Sequence, residues 1–274
     1  MKVIIFYRKK ERDVITLENE AIVASANDIV CAALDVGEHI LKNGGEIHRV
    51  EDTVDRICRS FGAAHVEVFT INSLIVASAR MENGEYSQQM RRIYKTANNL
   101  YMVEEMNRIS RELCAHKLQI SDLRAAILEA KEKKPYKAWL MYVASMLAAG
   151  GFAIFFGGSV IDGLCAGAVG MVVTFLGRHT PRFMNKMIVT VISSLVGGLL
   201  GILLSRLIPG SNADMVMIGT IMLLIPGISL GNSVRDMLEG DVISGALGII
   251  QSILLALMIA FGYAVAITVM GGVA

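Results

Sequence analysis

Charge is what the second half of this sequence lacks. Residues 1–136 hold 20 Lys/Arg and 20 Asp/Glu, whereas residues 137–274 hold 6 and 5. So few charges exclude a water-exposed globule there, and they underlie a hydrophobic content of 54%, against about 45–50% in globular domains. A positive field is missing too. The formal net charge is +1 and the first half balances to zero, which excludes a nucleic-acid partner, because such partners need clustered positive charge. Paired cysteines are absent. Cys31, Cys58, Cys114 and Cys165 form no CxxC, so the expectation is buried free thiols in a reducing compartment rather than a metal or redox motif. The chain has no P-loop, GxGxxG, GxSxG or HExxH. No catalytic residue, cofactor or metal is expected. A signal-peptide pattern is also missing. The apolar run Val3–Tyr7 is too short, and the charged run Arg8–Asp13 follows it instead of preceding it. A short mobile arm is expected there.

The charged half reads as a small α+β domain over residues 1–136. Apolar or small residues at Ile22, Ala26, Ile29, Val30, Ala33, Gly37, Ile40 and Leu41 follow a helical period. Gly44-Gly45 stops that helix, because glycine takes the left-handed terminal conformation freely. A second helix places Ile47, Val50, Val54, Ile57, Cys58 and Phe61 on one face and ends at Gly62. His65–Ile71 and Leu74–Ala77 have strand composition, and Glu82-Asn83-Gly84-Glu85 is a turn signal. Helical periodicity returns at Met102–Leu113 and again at Ile120–Ile127, after an N-cap at Ser121 or Asp122. This order predicts two packed layers. The polar face Glu46, His48, Glu51, Asp52 and Asp55 has metal-like or acid–base spacing, but it is also simply the solvated face opposite Val50, Val54 and Ile57.

The uncharged half, residues 137–274, reads as a transmembrane five-helix domain. A hydrocarbon core of about 30 Å takes about 20 helical residues. Five stretches qualify: 138–156, 159–176, 187–208, 213–231 and 242–270. The first begins at Ala138-Trp139 behind Lys131, Lys133, Lys134 and Lys137, the expected pattern of a cytoplasmic entry. Arg178, Arg182 and Lys186 lie between the second and third stretches, and Arg235 between the fourth and fifth. The opposite connections hold only Arg206. The basic bias predicts a multi-pass cell-membrane protein with its N-terminal domain cytoplasmic and its C-terminus outside. Gly163/Gly167, Gly197/Gly201 and Gly227/Gly231 are GxxxG pairs, which predict close helix packing.

Three features of this half bear on function. Pro226-Gly227 interrupts the fourth stretch, so that helix either lines a binding site or kinks against a neighbour. Asp162 is the acid inside a span; it is either functional or a helix cap near the interface. Ser193 and Gln251 lie well inside the apolar stretches and are candidates to meet a small solute.

Longer stretches carry a resemblance. Leu34-Asp35-Val36-Gly37-Glu38-His39-Ile40-Leu41-Lys42-Asn43-Gly44-Gly45-Glu46-Ile47-His48-Arg49-Val50-Glu51, Phe61-Gly62 and Asn98-Asn99-Leu100 resemble the N-terminal part of the threonine/serine exporter family. Ile225-Pro226-Gly227, Asn232–Leu238, Gly240-Asp241 and Ser244-Gly245 resemble that family's region around its fourth and fifth helices. The resemblance implies export of a small amino acid or organic acid, threonine/serine-like or succinate-like, coupled to the proton gradient. Full-length members resemble a cytoplasmic domain plus about ten helices; five here resemble the large subunit of the split form. A separate small five-helix partner and an oligomer in the bilayer are therefore implied. The same resemblance gives weight to Gly44, Gly45, Glu46, Arg49 and Glu51 as domain structure. It gives functional weight to Pro226, Gly227, Asn232, Arg235, Asp236 and Asp241. There Arg235 attracts a carboxylate and an acid restrains it or relays a proton, or else an Arg–Asp pair fixes a helix end. The alternative function is a membrane-bound enzyme or sensor with its site in the charged half.

Overall fold

The structure, a computed structural model, describes residues 24–94, 96–133, 136–180 and 184–271. The N-terminal arm, Ile22, Lys134, the boundary at Pro135, Arg182 and the C-terminal three residues lie outside the described residues.

The charged half opens with α1 (Ala26–Lys42) and α2 (Ile47–Ser60). A capping box between Ser25 and Asp28 starts α1. Three antiparallel strands follow in the order β1 (Ala63–Ile71), β2 (Leu74–Met81) and β3 (Tyr86–Arg92). Val68 stands opposite Ala77, and Ala77 opposite Gln89. Then come α3 (Leu100–Cys114), a 3-10 turn (Ile120–Asp122) and α4 (Leu123–Glu132). Asp122 stands before α4, but its side chain makes no capping hydrogen bond, because the tight turn feeds the helix directly.

The expectation of two layers is corrected to three. α1 and α2 cover one face of the sheet, and α3 packs on the far side of α1 and α2, with α4 against α3. The reason lies in α1. Ile29, Val30, Ala33, Leu34, Val36, Ile40 and Leu41 are all buried and cover roughly half the circumference of the helix, at 3.6 residues per turn. An apolar face that wide is shared between more than one neighbour.

In the apolar half, α5 (Ala138–Phe155), α6 (Val160–His179), α7 (Lys186–Leu207) and α10 (Val242–Gly271) are each long and apolar enough to cross a membrane. The expected fourth span is two helices, α8 (Ala213–Leu224) and α9 (Gly227–Glu239), bent by 54° and together apolar enough for a fifth span. Two glycine pairs seat helices as expected. A Cβ on Gly163 would press on Ile154, one on Gly167 on Met146, and one on Gly197 would lie 3.0 Å from the Tyr263 hydroxyl. Around Gly227 and Gly231 the space is open, so that pair seats nothing among the described residues. Inside the bundle the Thr220 and Tyr263 hydroxyls share a 2.9 Å hydrogen bond.

Candidate functional site

The break between α8 and α9 follows from Pro226. A proline pushes the residue before it out of helical geometry, and Ile225 is extended, at φ −60°, ψ 128°. Proline lacks the N–H that a helix start leaves unused, so α9 restarts directly behind it.

Helix α9 is amphipathic in an unusual sense. Its polar residues Ser229, Asn232, Ser233 and Asp236 recur at helical spacing and turn inward, with Ser233 and Asp236 buried. Ile228, Leu230, Val234 and Leu238 are exposed. The polar stripe meets the charged half. Asn98 Nδ2 donates to Ser229 Oγ at 3.3 Å, and Asn232 Nδ2 donates to the Gly44 carbonyl at 2.9 Å. Arg235 forms an ion pair with Glu46 at 2.5 Å. The backbone N–H of Ile47 donates to Asp236 Oδ1 at 3.3 Å. Asn72, in the β1–β2 turn, donates to the Ser244 carbonyl at 3.0 Å. Gly245 and Gly248 let α10 lie against α9; a Cβ on Gly245 would sit 2.6 Å from the Ser233 carbonyl.

On the other side of this junction is the α1–α2 reversal. Gly44 has φ +88°, and its backbone, like that of Gly45, closes the end of α1 with N–H donations to Leu41 and Ile40. A Cβ on Gly44 would lie 2.8 Å from Asn98 Oδ1, and one on Gly45 would collide with Ile40. Glu46 is the residue before α2 and makes no side-chain cap. Its carboxylate is taken by Arg235, and Asp236 supplies the cap in its place.

Glu51 accepts the Thr70 N–H at 2.8 Å. Burial pushes the Glu51 carboxyl above its ordinary value, the Thr70 N–H holds it down in part, and the negative charge of Asp241 raises it further. Asp241 thus stands close to the same junction, with its backbone carbonyl accepting from the first turn of α10. Arg49 is exposed and makes no ion pair among the described residues.

The structure therefore brings Gly44, Gly45, Glu46, Glu51, Asn232, Arg235, Asp236 and Asp241 together, and leaves three other candidates elsewhere. Asp162 lies at the opposite end of the bundle, 3% exposed. It completes a capping box with Ser159 and also accepts from the Ser211 hydroxyl at 3.1 Å and the Asn212 N–H at 2.6 Å. That is the capping arrangement, extended to tie two loops together. Ser193 is buried within α7, and Gln251 faces outward from α10. Asn72 belongs to this junction without a sign in the sequence, since a lone asparagine in a hairpin turn carries no signal of a contact 172 residues away.

Chemically, the junction offers an arginine more than half exposed, with one N–H donated to Glu46. A guanidinium has five such donors, so its remaining donors stay open to an anionic solute. Among the described residues, no group of three or more His, Cys, Asp or Glu is placed to hold a metal.

A family model described as "Putative threonine/serine exporter" matches residues 32–270. A protein of Klebsiella aerogenes named "Probable succinate transporter subunit YjjP" is 27% identical over 239 residues, 85% of this chain and 90% of that one. The Escherichia coli K12 protein of the same name is 23% identical over 248 residues, 87% and 93% of the two chains. No solved structure matches the chain.

Proposed function

The chain belongs to the threonine/serine exporter family and is a multi-pass membrane protein, and from that premise we propose that it is one subunit of an exporter of small amino acids or organic acids. The break at Pro226, with α9 hooked onto the α1–α2 reversal, carries the proposal. A helix interrupted at membrane depth leaves backbone groups to be satisfied by neighbours or by solute. Here the helix behind the interruption carries an arginine that pairs with Glu46 and keeps further donors open to a carboxylate. Arg235 attracts the anionic group at the mouth of the path, and Glu46 and Asp236 hold the mouth in place.

Residues 1–136 form the cytoplasmic domain in this reading, and residues 137–274 the membrane domain. The end of the bundle beside the charged half carries Arg178, Lys186 and Arg235, and Arg178 lies over the Tyr142 ring at 5.9 Å. The opposite end carries Arg206, whose guanidinium donates to the Met270 carbonyl at the end of α10. Basic residues mark the cytoplasmic side, which supports a C-terminus outside. The YjjP relatives are named as subunits, which supports a separate partner. In this reading the partner is a small five-helix chain of the same family that meets the outward face of α10, where Gln251 stands amid apolar side chains. Export is coupled to protons.

Efflux of labelled succinate, threonine and serine from cells that express the chain with and without the partner tests this. Faster efflux of at least one of them with both chains is expected. Equal efflux of all three in every combination would overturn it.

The alternative, an enzyme or sensor with its site in the charged half, drew on the Glu46–Asp55 face. In the structure Asp52 pairs with Arg56, Asp55 with Arg59 and Glu46 with Arg235. Ion-paired acids on an exposed face favour the solvated reading.

A further inference from the structure

We propose that the cleft between α2 and α3 is a binding site for a small dianion, one bearing two carboxylates or a phosphate. The cleft has a volume of about 400 Å³. Two polar stripes face each other across it. Arg49, Asp52 and Arg56 project from α2 at spacings of three and four, and Asn107 and Arg111 project from α3 at a spacing of four. Packed helices normally meet through apolar stripes; here polar ones line an open gap.

The charges in the gap do not cancel. Of the acids that line it, Glu46 is held by Arg235 and Asp52 by Arg56. Arg49 and Arg111 remain, and neither side chain forms an ion pair or hydrogen bond among the described residues. Two arginines facing across a gap of this size match a ligand with two negative charges, because the guanidinium fork pairs planar oxyanions in bidentate fashion. The Asn107 amide adds a neutral donor. The position matters for the rest of the protein. Glu46 lines the cleft and also holds Arg235, so a ligand bound beside Arg49 acts on the same carboxylate that anchors α9. The site adjoins the mouth of the solute path proposed above and shares Glu46 with it, and its binding is read without transport.

Binding of succinate and of inorganic phosphate to the purified full-length chain, by calorimetry at fixed ionic strength, tests the proposal, with chloride as the monovalent control. Saturable binding of at least one dianion is expected, and which one binds separates the carboxylate from the phosphate source. The single variants Arg49→Gln and Arg111→Gln should each weaken it about tenfold, the order expected for a lost charge-assisted hydrogen bond. Arg111→Lys should retain part of the affinity. Both arginines lie on the surface, so circular dichroism of each variant should match the parent chain. Absence of saturable binding, binding equal for chloride, or binding indifferent to both substitutions would overturn the proposal. Failed export with intact dianion binding would count against the transport reading alone.

Discussion

Asp236 accepts the first backbone N–H of α2, that of Ile47, at 3.3 Å. The residue before α2, Glu46, makes no cap of its own. The helix is therefore capped from a distant part of the chain. Loss of a capping side chain costs about 0.5–2 kcal/mol. Asp236→Ala should lower the unfolding free energy of the purified chain by an amount in that range, read as a lower thermal midpoint. Asp236→Asn keeps an acceptor oxygen and should lose less. Equal losses for the two would mean that the carboxylate acts through its charge.

The Arg235–Glu46 pair is largely open to water on the arginine side. An exposed pair contributes less than about 1 kcal/mol. Arg235→Glu should leave thermal stability nearly unchanged while efflux falls sharply. Combining it with Glu46→Arg restores the pair with its charges exchanged. If the arginine serves only to hold α9, that double variant should regain efflux; if it also attracts a carboxylate, efflux should stay low.

Gly44 has two separate reasons to be glycine, a φ of +88° and a Cβ position 2.8 Å from Asn98 Oδ1. Gly44→Ala should destabilise the chain by more than about 1 kcal/mol, since an L side chain pays the left-handed penalty before any clash is counted. Chemical unfolding followed by the Trp139 fluorescence would show it as an earlier midpoint.

Asp162 has accepting contacts to Ser159, Ser211 and Asn212. Hydrogen bonds to a charged group contribute about 1.5–3 kcal/mol each. Asp162→Ala should therefore reduce the amount of folded protein in the membrane. Efflux per folded molecule should keep its preference among succinate, threonine and serine. A changed preference at normal abundance would make Asp162 a solute contact.

Glu51 sets a pH dependence. Burial raises its carboxyl above the ordinary 4.5. A carboxyl raised in the folded state holds its proton more tightly there than in the unfolded chain. Stability from this group is thus lost as pH climbs from the ordinary carboxyl range through the raised value. Glu51→Gln keeps an acceptor for the Thr70 N–H and removes the charge. Thermal midpoints of the parent and the variant should converge at low pH and separate as pH rises, with the variant higher. A variant lower at every pH would show that the charge itself is favourable.

How much of this could be read beforehand differs by element. Gly44-Gly45 and Gly62 marked helix ends correctly because a positive φ is a local demand, and the apolar stretches marked the long helices because length and hydropathy are local sums. β3 went unassigned. Tyr-Ser-Gln-Gln-Met-Arg-Arg has few strand formers, and the strand exists because β2 offers it a partner edge. The third layer is not legible because the apolar arc of α1 does not show which neighbours share it. The α8–α9 break was visible in Pro226-Gly227, but its use was not: the residues it turns toward are 188 and 189 positions away. Asp162 shows the limit most plainly. Capping and solute contact look the same in one dimension, and only its neighbours distinguish them.

The trans cap on α2 has a consequence for synthesis. The ribosome delivers Ile47 long before Asp236, 189 residues later. Until the last quarter of the polypeptide has emerged, the first turn of α2 lacks its acceptor, and the early half waits on the late one. A stalled or clipped product would present that unfinished turn to proteases. The fold thus carries its own check: a turn made early is finished only when Asp236 has followed it.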